Sequence, residues 1–480
     1  MSVTDLGDVP PVYRIDLSLP PSERYVELAR VYHDQLWLLT GLFDDLVLAF
    51  FPQKSLSWIK RASRLLLRKL YTDEETEEIK GISRVTGIKL YLLVAFNVLL
   101  DLLMGCTSGG ALAQPASGEA RMLHFRTLDW AMDNLRQLVV QLEFVRSPED
   151  EVLATSITYV GYVGVLTGVR RGLSLSLNFR PYHNETGTLD NYRFYANHLL
   201  VLLGVRRSVS SLLRQYLIPP PPPRTPKTGL FTRLFKSTKS CPCSSVASLD
   251  YISATLPRVP TTAAYLIFSD GSKTLVVEKD HRTAVAASST SFIVATNSDL
   301  KTFSPGYVIP ESTRQSFALA GEGAIGMNDL ILDSRERQAL MQGFWDKKVM
   351  EKQKSQVPRR SDFRRANLAR RNPPRKARPG ASSSSEAQDS TAGCSRAPSS
   401  YELQPWGCSS ADGSARVTAS LPEIVEWTST YPITNEMTHF TVVMDALEGD
   451  VVWIGRYMFP LQWVGSDDHD EHDNNAGRPQ

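Results

Sequence analysis

Apolar residues recur at helical spacing through the first hundred positions and at alternate positions afterwards. The helical spacing predicts helices over residues 22–51, 56–71 and 72–87, and an apolar helix over 90–103. A short alternating stretch predicts one strand ahead of them, at 13–19. The pattern changes at Cys106, so the sequence predicts a helical half that gives way to a sheet half at this residue.

Alternation after Cys106 predicts a meandering antiparallel sheet. The predicted strands cover residues 121–130, 137–146, 152–163, 172–180 and 291–296. Two hairpins are expected, one turning at Asp270 and Gly271 and a closing one turning at Glu448 and Gly449. Helices are expected over 192–216 and 250–256.

Two segments lack the apolar content of a packed core. Residues 219–245 open with five consecutive prolines and continue with basic and serine-rich sequence. Residues 347–417 begin with thirteen Lys or Arg against two acids between Lys347 and Arg378, and then become polar. Such sequence buries too little surface to offset its chain entropy, so both are predicted to be disordered insertions. The acidic tail, 467–480, is predicted to be solvated.

Composition and targeting signals add little to this division. The chain has 480 residues, 42% of them hydrophobic, and a formal net charge of +2. None of its five cysteines precedes Cys106, and they form no disulfide framework, which favours a reducing compartment. Residues 1–12 lack the features of a signal peptide, and the run at 90–103 is shorter than the roughly 20 residues of a spanning helix. These features predict a cytoplasmic protein with a core helix at 90–103.

Other kinds of site fit the sequence poorly. The basic tract has few aromatic residues and no binding motif, so nucleic acid is not an expected partner. Contact with an anionic lipid surface is the alternative to a solvated insertion. Cys241 and Cys243 are too close together for paired zinc ligands, and His469 and His472 lie in the acidic tail. No metal and no cofactor is predicted.

Cys106 is the first candidate for chemistry. If the bond after Gly105 were cut, Cys106 would carry both a thiol and a free α-amine, which titrates near about 7.7 to 8.0 in model peptides. One residue would then supply nucleophile and general base. The alternative is a buried structural cysteine, since free cysteine is among the most buried residue types.

Three further residues could serve such a nucleophile. Arg126 could hold the thiolate and Asp129 could orient the α-amine. Alternation along a strand places these two on opposite faces, so a bend at the strand end must bring both inward. Asn297, at the end of a predicted strand, could donate to an oxyanion through its side-chain amide. The alternatives are a surface ion pair and an ordinary turn asparagine.

Several segments resemble a known family. They are GCTSGG from Gly105, HFRTLDW from His124, GYVGVLTG from Gly161, SLSLN from Ser174 and ATNSD from Ala295. Their order resembles the acid ceramidase family, which includes the N-acylethanolamine-hydrolysing acid amidases. YRIDLSLPPSERY from Tyr13 and EIKGISRVTGI from Glu78 resemble the short helical subunit of that family. The resemblance covers nearly the whole folded chain, with 219–245 and 347–417 as extra sequence.

The resemblance implies an α+β fold with the four-layer αββα core of an N-terminal nucleophile hydrolase, made as a precursor that cuts itself. Residues 1–105 would be the α subunit and residues 106–466 the catalytic β subunit, and the two fragments would stay associated. Matched by position, Cys106 would be the nucleophile, Arg126 and Asp129 the pair beside it, and Asn297 the oxyanion residue. Arg314 would be a second active-site arginine.

The implied activity is the hydrolysis of fatty-acid amides, with ceramide split to a fatty acid and sphingosine and with transient contact to a membrane surface. An N-acylethanolamine amidase of the same chemistry and a non-catalytic lipid-binding relative are the alternatives. The resemblance also implies a lysosomal or vacuolar location. Two positions depart from the family pattern: Phe179 stands where a Glu is common, and Gly105 where a bulkier residue is common.

Overall fold

The helices and strands lie in two blocks that meet at Cys106. The computed structural model describes residues 6–50, 52–99, 105–115, 118–181, 183, 188–218, 246–300, 327–356, 404–405 and 416–462. Within these ranges the N-terminal block contains β1 (Val12–Asp16), α1 (Val26–Val31), α2 (His33–Trp37), α3 (Leu39–Phe50), α4 (Leu56–Leu66), α5 (Asp73–Thr86) and α6 (Leu90–Leu99).

The second block is mainly β-structure. Its described strands are β2 (Gly105–Ala113), β3 (Arg121–Asp129), β4 (Val139–Val145), β5 (Ala154–Tyr159), β6 (Thr167–Arg170), β7 (Leu173–Phe179), β8 (Ala264–Ser269), β9 (Thr274–Lys279), β10 (Ala284–Ser289), β11 (Phe292–Ala295), β12 (Gln404–Pro405), β13 (Thr438–Asp445) and β14 (Asp450–Arg456). Its described helices are α7 (Thr188–Leu202), α8 (Val209–Leu217), α9 (Leu249–Thr255), α10 (Met327–Gln356) and α11 (Leu421–Thr428).

The described strands form two sheets that pack face to face. The larger sheet has nine strands in the order β1-β4-β5-β6-β7-β8-β9-β10-β12, and the smaller has five in the order β11-β2-β3-β13-β14. Strand β2 packs against β7, and β3 packs against β8. Helix α8 covers β6 and β7 of the larger sheet, while α10 and α11 cover β2, β11 and β3 of the smaller one. These layers form the αββα core that the resemblance implies.

The predicted antiparallel meander is confirmed for β4 to β7, and both hairpins are confirmed, but the strands predicted at 121–130 and 291–296 are β3 and β11 of the smaller sheet. From β4 to β10 each strand pairs antiparallel with the next. The hairpin turns contain Gly271 at φ 87° and Gly449 at φ 89°, a left-handed conformation that glycine adopts without strain. The sequence pattern does not predict β6, which has only four residues.

Two predicted helices are each divided in the structure, and the helix expected over 56–71 ends at Leu66. The helix expected over 22–51 is three helices, α1 to α3, interrupted at Tyr32 and Leu38. The helix expected over 192–216 is two helices, α7 and α8. Helix α8 begins after Ser208, whose side chain accepts a hydrogen bond from the backbone N–H of Ser211. Buried apolar residues lie on both sides of each interruption, so the apolar pattern continues across the breaks and does not reveal them.

The segments predicted to be disordered lie mostly outside the described residues. This is so for 219–245, for the tail at 467–480 and for most of 347–417. The prediction is wrong for 347–356, because α10 continues to Gln356 and Lys348 forms an ion pair with Glu423 of α11. The basic residues there extend a helix that the buried side chains of Met341 and Trp345 anchor in the core.

The apolar run at 90–103 is described as far as Leu99 and forms α6. Leu93 and Val94 are fully buried, as the prediction of a core helix requires. Within the described ranges, no helix combines the length and the apolar character needed to cross a membrane.

Contacts of three kinds join the N-terminal block to the rest. Strand β1 is the edge strand of the larger sheet and pairs in parallel with β4. Asn97 of α6 donates to Gly161 O at 2.9 Å and accepts from Val163 N at 2.7 Å, so it holds the loop between β5 and β6. Glu78 of α5 is buried, and its Oε1 lies 2.7 Å from Nη2 of Arg214 in α8. Backbone, amide and ionic contacts thus cross the boundary at Cys106.

We expect Glu78→Ala to lower the free energy of unfolding by about 3 to 5 kcal/mol, because it removes the buried carboxylate that bonds to the Arg214 guanidinium and leaves only Glu74, at 3.9 Å. Urea unfolding followed by circular dichroism measures the loss. Glu74→Ala is the matched control: Glu74 also pairs with Arg24, but its side chain is half exposed, so a loss of about 0 to 1 kcal/mol is expected. Equal losses in the two variants would contradict this account of the interface.

Candidate active site

Cys106 is the second residue of β2 and is fully buried. Its Sγ lies 3.4 Å from Arg126 Nη2, and its backbone N–H donates to Asn297 Oδ1 at 2.8 Å. Cys106 pairs with Leu128 across β2 and β3, so residues at even positions of β3, including Arg126, share its face. Two of the residues proposed from the sequence therefore contact Cys106 directly.

The Arg126 side chain is a buried cation beside the thiol. Its Nη1 donates to Leu177 O at 2.6 Å and to Leu166 O at 3.4 Å. Burial raises the pKa of the Cys106 thiol, and the positive charge of Arg126 is the largest opposing influence. The thiol is therefore protonated in the uncut chain near neutral pH, and its activation requires a base.

The carboxyl group of Asp129 lies beside Gly105, the residue before Cys106. Asp129 pairs opposite Gly105 across β3 and β2, and a Cβ added to Gly105 would lie 3.6 Å from Asp129 Oδ2. Oδ1 accepts from Thr438 Oγ1 at 2.7 Å, whereas Oδ2 accepts no hydrogen bond from the described residues. Burial raises the pKa of Asp129 to about 7, so this carboxyl group exchanges its proton near neutral pH.

The bend expected at the end of β3 is not seen, because β3 pairs with β2 without a register shift up to Asp129; a β-bulge lies instead in the neighbouring strand β13. The register between β3 and β13 shifts between Thr438 and Phe440, next to the pairing of Thr438 with Asp129. A bulge increases the local twist and changes where neighbouring side chains point. Arg126 faces the thiol of Cys106, and Asp129 lies opposite Gly105, so the two side chains keep the regular alternation of β3 and lie on opposite faces of the strand.

Hydrogen bonds fix the side chain of Asn297 in one orientation. Oδ1 accepts from Cys106 N and, at 3.1 Å, from Arg337 Nη2, while Nδ2 donates to Phe179 O at 2.8 Å. The backbone N–H of Asn297 donates to Ser334 Oγ at 2.8 Å. In the uncut chain the amide oxygen faces the Cys106 nitrogen, and the amide NH₂ expected to bind an oxyanion is bonded to a carbonyl.

Arg337 is a residue of this site that the sequence analysis missed. It is fully buried and comes from α10. Its Nη1 donates to Cys106 O at 2.9 Å and to Thr107 Oγ1 at 2.8 Å, and Nη2 donates to Asn297 Oδ1. Nη1 also lies 3.6 Å from Asp129 Oδ2. One guanidinium group therefore contacts the backbone at Cys106 and two further residues of the site.

A signal for Arg337 exists in the sequence. Ser334, Arg337, Gln338 and Met341 follow one another at helical spacing and are all buried. Polar residues on the same helix face as a core methionine indicate buried polar contacts. Arg314, the second arginine proposed from the resemblance, lies outside the described residues, so its place stays a prediction.

Comparison with known proteins supports the resemblance. A family model described as the beta subunit of N-acylethanolamine-hydrolyzing acid amidase matches residues 8–71. Acid ceramidase of Mus musculus is 35% identical over 186 residues, which are 35% of this chain and 45% of that protein. N-acylethanolamine-hydrolyzing acid amidase of Caenorhabditis elegans is 31% identical over 179 residues, 35% of this chain and 47% of that protein. Over 35% of its length the chain is therefore similar to proteins named acid ceramidase and N-acylethanolamine-hydrolyzing acid amidase.

The chain spans just under half the length of the curated relatives it matches. A solved structure of the family, that of the Caenorhabditis elegans N-acylethanolamine-hydrolyzing acid amidase ortholog, is 17% identical with a TM-score of 0.36. The match covers 71% of this chain and 93% of that one. The segment matched by the family model, 8–71, ends before α5 and therefore lies wholly ahead of Cys106.

In the Cys106→Ala chain, we expect Asp129→Asn to change how stability depends on pH. The pKa of Asp129 rises on folding from about 3.9 to about 7, so the folded state keeps this proton longer and loses stability as pH rises through that range. Asparagine carries no such proton. The free energy of unfolding of the Asn variant relative to its parent should grow between about pH 4 and 7, by at most about 1.4 kcal/mol per pH unit.

Urea unfolding of both chains from pH 4 to 8 measures this difference. It should level off above the folded pKa of about 7. Parallel stability profiles for parent and variant would mean that burial does not raise the pKa of Asp129.

Proposed function

We propose that the chain is an amide hydrolase that cuts its own backbone before Cys106 and then uses Cys106 as an N-terminal nucleophile on fatty-acid amides. The arrangement around Cys106 carries this proposal: its thiol lies beside Arg126, its nitrogen is bonded to Asn297, and Asp129 lies beside Gly105. Similarity to proteins named acid ceramidase and N-acylethanolamine-hydrolyzing acid amidase supports it.

In the proposed first step, the chain cuts between Gly105 and Cys106. Asp129 takes the thiol proton, and the sulfur bonds to the Gly105 carbonyl carbon. The bond from that carbon to the Cys106 nitrogen breaks as the nitrogen takes a proton. Water then hydrolyses the thioester and frees the Gly105 carboxylate and the thiol. Asp129 suits this role because its pKa lies near 7 and its Oδ2 accepts no hydrogen bond from the described residues.

In the second step, the freed α-amine of Cys106 takes the thiol proton, and the thiolate attacks the amide carbonyl of the substrate. The protonated amine passes its proton to the leaving amine, and water cleaves the resulting thioester. Arg126 stabilises the thiolate, and Asn297 Oδ1, which already binds this nitrogen, orients the amine. Asn297 becomes an oxyanion donor when its Nδ2 exchanges Phe179 O for the developing negative charge.

Both fragments remain in the proposed enzyme after the cut. The contacts of β1, Asn97 and Glu78 with the second block do not involve the cut bond. The family model that matches 8–71 is described as a subunit, and that segment ends ahead of Cys106. Transient contact with a membrane surface is supported by α4, on which Trp58 and Leu65 are 69% and 68% exposed on a helix that also carries basic residues.

Ceramide is the proposed substrate, and N-acylethanolamines are the alternative. The relatives named acid ceramidase and acid amidase have similar identities to this chain, 35% and 31%, so they favour ceramide only slightly. Phe179 offers no side-chain carboxylate, but its carbonyl retains the bond to Asn297. A non-catalytic lipid-binding role is the second alternative. The buried charges of Arg126 and Asp129 argue against it, because their desolvation is costly and lipid binding does not require it.

The unaltered chain should yield two fragments divided immediately before Cys106, as measured by intact mass after incubation at mildly acidic pH. Cys106→Ala should stay a single chain of 53.5 kDa and release no amine from either substrate, because it lacks the nucleophile. A Cys106→Ala chain that is cut, or that releases amine from either substrate, would contradict the proposal.

The two substrate classes are then compared on the cut protein. Release of sphingosine from ceramide, faster than release of ethanolamine from an N-acylethanolamine, is the expected result. The reverse order would select the alternative amidase. Binding of both lipids without release of either amine would favour the lipid-binding role.

Arg337→Met should slow self-cleavage by about a hundredfold, because it removes the donors to Cys106 O and Asn297 Oδ1. Arg337→Lys keeps the positive charge but lacks the planar guanidinium group. Its rate of self-cleavage should therefore lie between those of the parent and of Arg337→Met. Arg170→Met is the matched control, since Arg170 is a buried arginine bonded to the carbonyls of Tyr216 and Ala247. Folded Arg170→Met should cut itself at the parent rate. An equal loss of cleavage rate in Arg337→Met and Arg170→Met would mean that the effect comes from lower stability alone.

A further inference from the structure

A hydrogen-bonded chain of three residues joins the two sheets beside Asp129. Tyr159, at the end of β5, bonds through its hydroxyl to Nδ1 of His439 at 2.8 Å. His439 Nε2 lies 2.9 Å from the carbonyl oxygen of Trp130, the residue after Asp129. Tyr159 and His439 are both fully buried. Neither residue has a part in the reaction steps proposed above.

Tyr159, His439 and Trp130 are called the relay below. The direction of each hydrogen bond in the relay is fixed. The Trp130 carbonyl only accepts, so His439 Nε2 must carry a proton and donate it. Burial, assisted by the positive charge of Arg136, lowers the pKa of His439 to about 3, so the ring is neutral and its Nδ1 accepts. The Tyr159 hydroxyl therefore donates to His439. Replacing Tyr159 by Phe would leave Nδ1 without its donor in a dry site.

The relay acts on the backbone that carries Asp129. His439 is the extra residue of the bulge between Thr438 and Phe440. Its neighbour Thr438 donates to Asp129 Oδ1, and Met437 O accepts from Trp130 N at 2.7 Å. Trp130, the residue that follows Asp129, is thus fixed at both its backbone nitrogen and its backbone oxygen, while the Asp129 carboxyl group receives a single hydrogen bond from the described residues.

We propose that Tyr159 and His439 are positioning residues that hold the Asp129 carboxyl group beside the bond between Gly105 and Cys106. This rests on the proposed function, in which Asp129 takes the proton of the thiol. Without the relay the bulge in β13 relaxes, Thr438 moves away from Asp129 Oδ1, and water reaches the carboxyl group. The charged groups around Asp129 are Arg126 on its own strand and Arg337 and Asp333 on α10, and the relay leaves all three unchanged.

The first test measures Asp129 without any demand on catalysis. In the uncut Cys106→Ala chain, the Asp129 carboxyl is titrated by infrared difference spectra against the same chain carrying Asp129→Asn. Tyr159→Phe and His439→Leu should each lower its pKa from about 7 by about one unit or more, because burial is the main cause of the raised value. A structural role alone would lower the free energy of unfolding and leave the titration of the folded protein unchanged.

Two further variants complete this test. Tyr25→Phe is the matched control, because Tyr25 is a buried tyrosine whose hydroxyl has no hydrogen-bond partner among the described residues, and the titration should stay where it is in the parent. His439→Gln retains a donor and an acceptor at the same position and should restore part of the shift lost in His439→Leu. It also keeps the test decisive if the leucine variant does not fold.

The second test uses the chain with Cys106 intact. Tyr159→Phe should slow self-cleavage by about tenfold, while Tyr25→Phe should cleave at the parent rate. A shifted Asp129 titration together with a parent chain that never cuts would overturn the proposed function and keep the positioning role. A parent chain that cuts, with Tyr159→Phe cutting equally fast and titrating unchanged, would overturn the positioning role alone.

Discussion

A guanidinium group removed from water must find local partners for its donors, and Arg337 finds them in separate parts of the chain. It bonds to the backbone of β2, to Asn297 after β11 and to Asp333 one turn earlier in its own helix, and it lies 3.6 Å from the Asp129 carboxylate. Each contact also limits the geometry of the next, because the planar group has fixed donor directions. The positions of Cys106, Asn297 and Asp129 relative to one another therefore depend on α10, which only a packed outer layer can hold in place.

The N-terminal block is part of the same architecture. It contributes the edge strand of the larger sheet and, through Asn97, holds the loop that runs from β5 to β6. That loop ends near Leu166, whose carbonyl accepts from Arg126. The loop that the N-terminal block holds is thus only a few residues from the carbonyl that binds Arg126, the cation beside the thiol. This continuity gives a physical reason why a cut ahead of Cys106 would leave two fragments in one fold.

The sequence predicted local features well and distant ones poorly. The hairpins at Gly271 and Gly449 were predictable because a glycine turn between alternating strands is a local signal. The breaks at Tyr32 and Leu38 were not, since the apolar stripe continues through them. Cys106, Arg126, Asp129 and Asn297 were found from motifs, and the structure brings them together. Arg337 was missed because its helical spacing indicates a buried polar face but not the partner 231 positions away, and the bulge at His439 exists only once β3 and β13 have paired.

The distance along the chain between Cys106 and Arg337 has a consequence for timing. A ribosome delivers the N-terminal block first, yet β1 has no partner until residues 141–145 have been made. The residues that bind the backbone of Cys106 are made later still, Asn297 first and Arg337 last. In the proposed reaction, the backbone is therefore cut only after these later residues have been synthesised. When the bond before Cys106 is cut, β1 has therefore already paired with β4 in the larger sheet.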